Sequence, residues 1–222
     1  MGIFETKSGR EKLDGNRRAF ATYTLEDHGG APAHTFVLRP PGGGNVQSTT
    51  LIFTGGPGVH EYIAILGDLC PQAGGNGVVS NIGYGVGWFA RPTSHDHLCQ
   101  KFLRQVYVPE LARAALEDHQ RQERADAVNE TLSEDWRKAA SSAATELEAA
   151  LADEDSFATH EALYETWEEV FGNTDVENTG MGYDARDAAL LVAIQEAFAR
   201  LYHAMLEQAN GSPAAKHEVA GE

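Results

Sequence analysis

"TSHDHLCQKFL", residues 93–103, places two histidines, an aspartate and a cysteine within five positions. Its reading decides where the strands stop and the helices start. On a strand, His95, His97 and Cys99 would line one face, as metal ligands do. On a helix, His95 and Cys99 share a face at i, i+4, and His97 points elsewhere. The neighbours favour the helix. Ser94 can cap it, Asp96 suits its first turn, and Leu98, Phe102, Leu103 and Val106 recur at helical spacing. Two ligands do not complete a zinc tetrahedron. The remaining histidines (His28, His34, His60, His119 and His160 among them) are scattered. No metal site and no cofactor are expected. Cys99 reads as a small core residue, and His95 and His97 as residues of the helix start.

Upstream of this stretch the chain is glycine-rich. Eighteen of the 23 glycines lie in the first 87 residues. "RAFATYTL", "HTFVLR", "TTLIFTG", "EYIAILG" and "NGVVSNIGYGVGWFA" read as strands, the last as a hairpin or bulged pair, with short links between them. Short links imply a mainly antiparallel sheet. Downstream, periodicity predicts helices. One starts near Pro109 and continues through the polar "EDHQRQERAD", where Glu117 and Arg121 can pair. A second is capped by Ser133 and has Trp136, Ala140, Ala143, Leu147 and Leu151 as its buried stripe. A third gathers Leu163, Trp167, Val170 and Phe171. "GNTDVENTGMGYD" is a loop. Asp184 then opens the longest helix, whose seam of Leu191, Ile194, Phe198, Leu201 and Met205 has the spacing that packs against another long helix. The expected fold is α+β, an N-terminal mainly antiparallel sheet packed with a C-terminal helical bundle. The expected regions are 1–92 (neutral sheet), 93–209 (acidic helices) and 210–222 (flexible tail).

Charge divides at the same boundary. The formal net charge is -16. Residues 1–92 hold seven acids and seven bases, so the whole excess belongs to residues 93–222. Between Ala139 and Ala185 there are twelve acids and no Lys or Arg. A general acidic adaptation would spread over both halves, so this asymmetry points to a specific acidic surface. Asp153, Glu154 and Asp155 precede the helix that carries Glu161, Glu165, Glu168 and Glu169. Of these four, Glu161, Glu165 and Glu168 share one face.

Motifs for chemistry are sparse. There is no Walker-type or dinucleotide-binding glycine pattern. A nucleic-acid partner is disfavoured because the negative field repels phosphates. No apolar run spans a membrane, and no secretory leader is visible. "MGIFET" meets only the minimal myristoylation pattern. Two cysteines make no disulfide framework, so a reduced cytoplasmic protein, in the cytoplasm of a host cell, is expected. "LIFTGGPGVHEY", residues 51–62, resembles the strand-then-HGGPG oxyanion turn of prolyl-iminopeptidase-like α/β-hydrolases, with Thr54 where that family has His. The family also needs a G-x-S-x-G nucleophile elbow, which this chain lacks. If any site lies between sheet and helices, Asp68, Cys70, His95 and Cys99 are its catalytic candidates.

Residues 62–103 are similar to uncharacterised proteins of bacteriophages and prophages, through Gly67, Asp68, Ser80, Trp88, Asp96, Leu98, Lys101, Phe102 and Leu103. "GMGYDARDAALLVAIQEAFARLY", residues 180–202, adds a second block. The resemblance implies a phage accessory protein and carries no catalytic residue. Together with the acidic half it leads us to expect a non-enzymatic acidic binding protein. Such a protein would inhibit a host defence or nucleic-acid-handling complex, in the manner of an anti-CRISPR, by charge complementarity to a basic protein surface. The alternatives are a small hydrolase or metal-dependent enzyme, and a protein self-assembling through the helix 184–206.

Overall fold

The computed structural model describes residues 2–30, 33–43, 47–54, 62–71, 77–81, 85–173, 176 and 179–211. The hydrolase-like turn at 55–61, the middle of the expected hairpin at 82–84 and the tail from 212 lie outside them. Five strands form one antiparallel meander in the order β1-β2-β3-β4-β5. They are β1 (Thr24–Asp27), β2 (Ala33–Arg39), β3 (Thr49–Thr54), β4 (Tyr62–Gly67) and β5 (Gly77–Asn81). Alternation sets the register. Phe36, Leu51, Ile65 and Val78 are successive cross-strand partners and all are buried. Phe53, Ile63 and Ser80 make the next buried row. The opposite face carries Thr35, Ile52, Ala64 and Val79.

The helices are α1 (Lys7–Phe20), α2 (Gly85–Phe89), α3 (His95–Phe102), α4 (Pro109–Ala127), α5 (Glu134–Ala152), α6 (His160–Phe171) and α7 (Ala185–Gly211). A two-stranded ladder joins β6 (Val106–Tyr107) to β7 (Met181–Gly182). The fold is therefore α+β, with the sheet N-terminal and most helices C-terminal.

The chain forms two compact units, Met1–Arg10 with Arg104–Ala185 and Glu11–Leu103 with Arg186–Glu222. In the second, the sheet unit, Phe198 of α7 lies with its ring 5.2 Å from Phe36, 5.7 Å from Phe53 and 5.6 Å from Phe89. Each such buried ring contributes about 1.5–3 kcal/mol relative to exposure. In the first, the helical unit, α4 and α5 pack along each other. Its core is Ala112, Leu116, Leu147, Phe157, Leu163, Trp167 and Val176.

Several expectations are corrected. Residues 7–20 are helical, so "RAFATYTL" supplies only the start of β1 at Thr24. Gly85–Phe89 is a short helix rather than the second strand of a hairpin. Its last carbonyls are satisfied by α7: Gln195 Nε2 donates to Phe89 O and Arg91 O, both at 2.8 Å, and His203 donates to Ala90 O at 2.9 Å. α7 is not a two-helix seam. Ala188 to Gln195 are buried without interruption, the mark of a helix enclosed on all sides. This helix is long and apolar enough by composition to cross a membrane, yet half of the span is buried inside the fold. Glu117 pairs with Arg113 at 3.1 Å, while Arg121 pairs with Asp118 at 2.8 Å. Trp136, expected on the buried stripe of α5, is 60% exposed.

Candidate functional site

The catalytic candidates each have a local structural task. Ser94 caps α3, its Oγ accepting from His97 N at 3.3 Å, as the sequence predicts. The cap fixes the helical spacing of His95, His97 and Cys99. Cys99 faces the core and is fully buried, which pushes its thiol up to about 12. Cys70 is also buried. Desolvation, then Asp187 and Asp68, raise its pKa, and its Sγ donates to Gly67 O at 2.9 Å. Both thiols are thus held protonated, the opposite of an activated nucleophile. Asp68 is exposed and accepts from the backbone N–H of Gln47 at 3.1 Å. Gln47 has φ 65°, a left-handed conformation, and Tyr23 donates to its carbonyl at 3.0 Å. Asp68 therefore stabilises a strained turn. His97 lies edge-on to Trp88. Among the described residues no group of three or more His, Cys, Asp or Glu side chains is placed to hold a metal ion.

His95 belongs to a cluster that no local pattern foretells. Its Nε2 lies 3.5 Å from Glu196 Oε1. The same carboxylate accepts from Arg17 Nε at 2.8 Å and Nη2 at 2.6 Å, a bidentate pair between α1 and α7. Burial pushes the Glu196 carboxyl up. The Arg17 hydrogen bonds and charge, aided by His95, outweigh burial and hold it below the ordinary value. Arg17 and Glu196 are 179 residues apart, so periodicity and spacing are silent about them.

The acidic residues behave differently. The helical unit holds 21 acids and 8 bases, a net −13, whereas the sheet unit holds 12 acids and 9 bases, a net −3. Asp153 is a cap: its Oδ1 accepts from Asp155 N at 3.1 Å and its Oδ2 from Ser156 Oγ at 3.4 Å. Glu154 approaches Arg113 at 3.9 Å, while itself almost wholly exposed. Asp155, Glu161, Glu165, Glu168 and Glu169 are exposed and pair with no cation among the described residues. The 3-10 turn Glu154–Phe157 packs against α6, and Thr166 Oγ1 donates to Ser156 O at 2.9 Å. All seven sequence-predicted binding residues are thereby gathered in one unit, on the turn and the helix it packs against.

Helix physics does not account for this pattern. Thr159 caps α6 and Glu161 in the first turn suits the helix dipole. Glu168 and Glu169 occupy the last turn, where the dipole favours cations, and no base is present there. Glu161–Glu165 is a like-charge pair at i, i+4, which costs a few tenths of a kcal/mol. The fold gains nothing from Glu165, Glu168 and Glu169.

A second feature lies on α5. Arg124, in the last turn of α4, pairs with Glu148 at 2.9 Å, fourteen residues into α5. The first residues of α5 therefore run roughly two turns past the end of α4. This overhang presents Trp136, and Val128 at the α4 end is 76% exposed. Compared with protein-family models, with curated proteins and with solved structures, the chain finds no match.

Proposed function

We propose that this is a non-enzymatic binding protein whose acidic helical unit docks on a basic protein surface. The observation that carries the reading is the α6 face, where Glu161, Glu165 and Glu168 are exposed and unpaired among the described residues and Glu168 opposes the helix dipole. Groups that cost the fold stability and find no partner within it suit a partner outside it. The spacing of carboxylates along a helix can imitate phosphates, so the basic groove of a nucleic-acid-handling complex is the fitting target. On this reading the protein is a phage-encoded, anti-CRISPR-like inhibitor of host defence that works in the host cytoplasm. The exposed Trp136 supplies an apolar anchor of the type that dominates interface energies. Both candidate thiols are buried with raised pKa, which argues against nucleophilic catalysis at the sheet-to-helix boundary.

The test is capture of partners from host extract by the wild-type protein and by Glu161→Gln/Glu165→Gln/Glu168→Gln/Glu169→Gln. Each is run at about 50 mM and about 500 mM salt, which shortens the screening length several-fold. The expected partner is basic, is retained only by the wild type at low salt, and loses roughly tenfold or more in affinity for the variant. A partner held equally by the variant and at high salt would overturn the reading.

A further inference from the structure

The end of α1 and the middle of α7 border an open concavity of about 240 Å³ in the sheet unit, with the exposed Arg200 on its rim. Arg17, Glu196 and Arg200 form its polar wall, and Phe20, Ala193 and Ala197 are among its apolar lining. Two guanidiniums and one carboxylate line this concavity, with Asp14 outside the lining 3.6 Å from Arg17, so Arg200 is its uncommitted cation in a chain of net charge -16. The alanines create the space, because a larger side chain at Ala193 or Ala197 would fill it.

The two arginines are not equivalent. Arg17 is committed, with Nε and Nη2 on Glu196 and Nη1 3.6 Å from Asp14. Arg200 gives a single N–H away, from Nη2 to the Phe20 carbonyl at 3.1 Å. Its Nε, its Nη1 and the second Nη2 hydrogen donate to no group among the described residues. The Phe20 contact holds the guanidinium at the cavity, so little side-chain freedom is lost when a ligand arrives.

We propose that this cavity binds a small organic monocarboxylate, with Arg200 gripping the carboxylate and the Phe20–alanine lining receiving a short apolar stem. One free guanidinium edge matches the two oxygens of one carboxylate. A phosphate dianion fits worse, because its second charge would meet Glu196 with no second free cation among the described lining residues to balance it. The volume, below the range of drug-sized sites, limits the stem to a few carbons or one ring. This site is independent of the acidic face, since all of its residues lie in the other unit.

The test is titration of the full chain with acetate, butyrate, hexanoate and benzoate, with benzamide and inorganic phosphate as controls, following the arginine Nε–H signals by NMR. Saturable shifts of the Arg200 signal are expected, stronger for the longer stems than for acetate, and absent with benzamide. Arg200→Gln weakens binding by roughly tenfold or more. Ala197→Leu, which keeps Arg200 and fills the cavity, abolishes it and stands in if Arg200→Gln fails to fold. The proposal is overturned if none of the four carboxylates gives a saturable shift. It is equally overturned if benzamide or phosphate binds as tightly as the carboxylates, or if binding survives both substitutions.

Discussion

The sheet unit and the helical unit solve the problem of charge in opposite ways. In the sheet unit several acids are matched: Glu26 with Arg39 at 2.6 Å, Asp27 with His34, and Glu196 with Arg17 and His95. Its interior is a cluster of aromatic rings around Phe198. In the helical unit the ion pairs lie mostly along α4 and α5, and α6 has none among the described residues. Its interior is built largely from alanine and leucine. The difference shows that the negative excess is not a property of the whole surface. It is concentrated in the unit with the lighter core, where stability is least able to account for it.

The sharpest way to break this contrast is through the cores. Phe198→Ala removes a fully buried ring that packs against four others, and a loss of about 3–5 kcal/mol is expected. Leu147→Ala, at an equally buried site of the helical unit, should fall lower, near 2–3 kcal/mol, because less volume is vacated. Urea unfolding followed by circular dichroism measures both. A larger loss for Leu147→Ala would mean that the helical unit, not the sheet unit, carries the tighter packing.

A smaller effect tests the connection that holds the β6–β7 ladder. Gly180 has φ 75°, and an added Cβ would lie 2.7 Å from the Tyr107 ring and 3.0 Å from Ala112 Cβ. Gly180→Ala therefore meets both backbone strain and a clash, and about 1–3 kcal/mol is expected to be lost. Unchanged thermal stability would show that the ladder is dispensable to the helical unit.

What was legible in the sequence was local. Ser94 and Ser133 each cap the helix that follows, since a cap needs only its own neighbours. The apolar, β-branched runs at 33–39, 49–54 and 62–67 were equally plain as strands. α1 was missed because two glycines and many charges dilute its apolar stripe to Leu13 and Phe20, which only tertiary burial makes decisive. The 3-4 spacing in α7 looked like a seam, but the unbroken run "DAALLVAI" already marked a helix enclosed on every side. Trp136 had the right period and the wrong context, because period does not show where a neighbouring helix ends. The Arg17–Glu196–His95 cluster joins three helices distant in sequence and left no local trace.

That cluster gives a pH-dependent test. The Glu196 carboxyl is held below its ordinary value in the fold, so its pairing stabilises above the unfolded-state value of about 4.3 and is lost as pH falls through the lower folded value. Near neutral pH, Glu196→Gln should cost on the order of 1 kcal/mol, since the pair is part-exposed and screened. The gap between variant and wild type should close as the solution is acidified below the carboxylate range. A gap independent of pH would mean that the contribution of Glu196 is packing rather than charge.

The smallest expected effect bears most directly on the exposed side of the helical unit. Trp136→Ala should change stability by no more than about 0.5 kcal/mol, because the side chain covers little of the core. It should nonetheless remove a large share of the tryptophan fluorescence accessible to acrylamide, leaving that of the half-buried Trp88. Trp167 is only 7% exposed, and its indole N–H donates to Asn173. The indole stands on the first turn of α5, ahead of the stretch that pairs with α4 through Arg124 and Glu148. A loss of stability well beyond this, or quenching unchanged by the substitution, would show that the overhang is covered in solution. The contrast between a matched unit and an open acidic one would then rest on the α6 carboxylates alone.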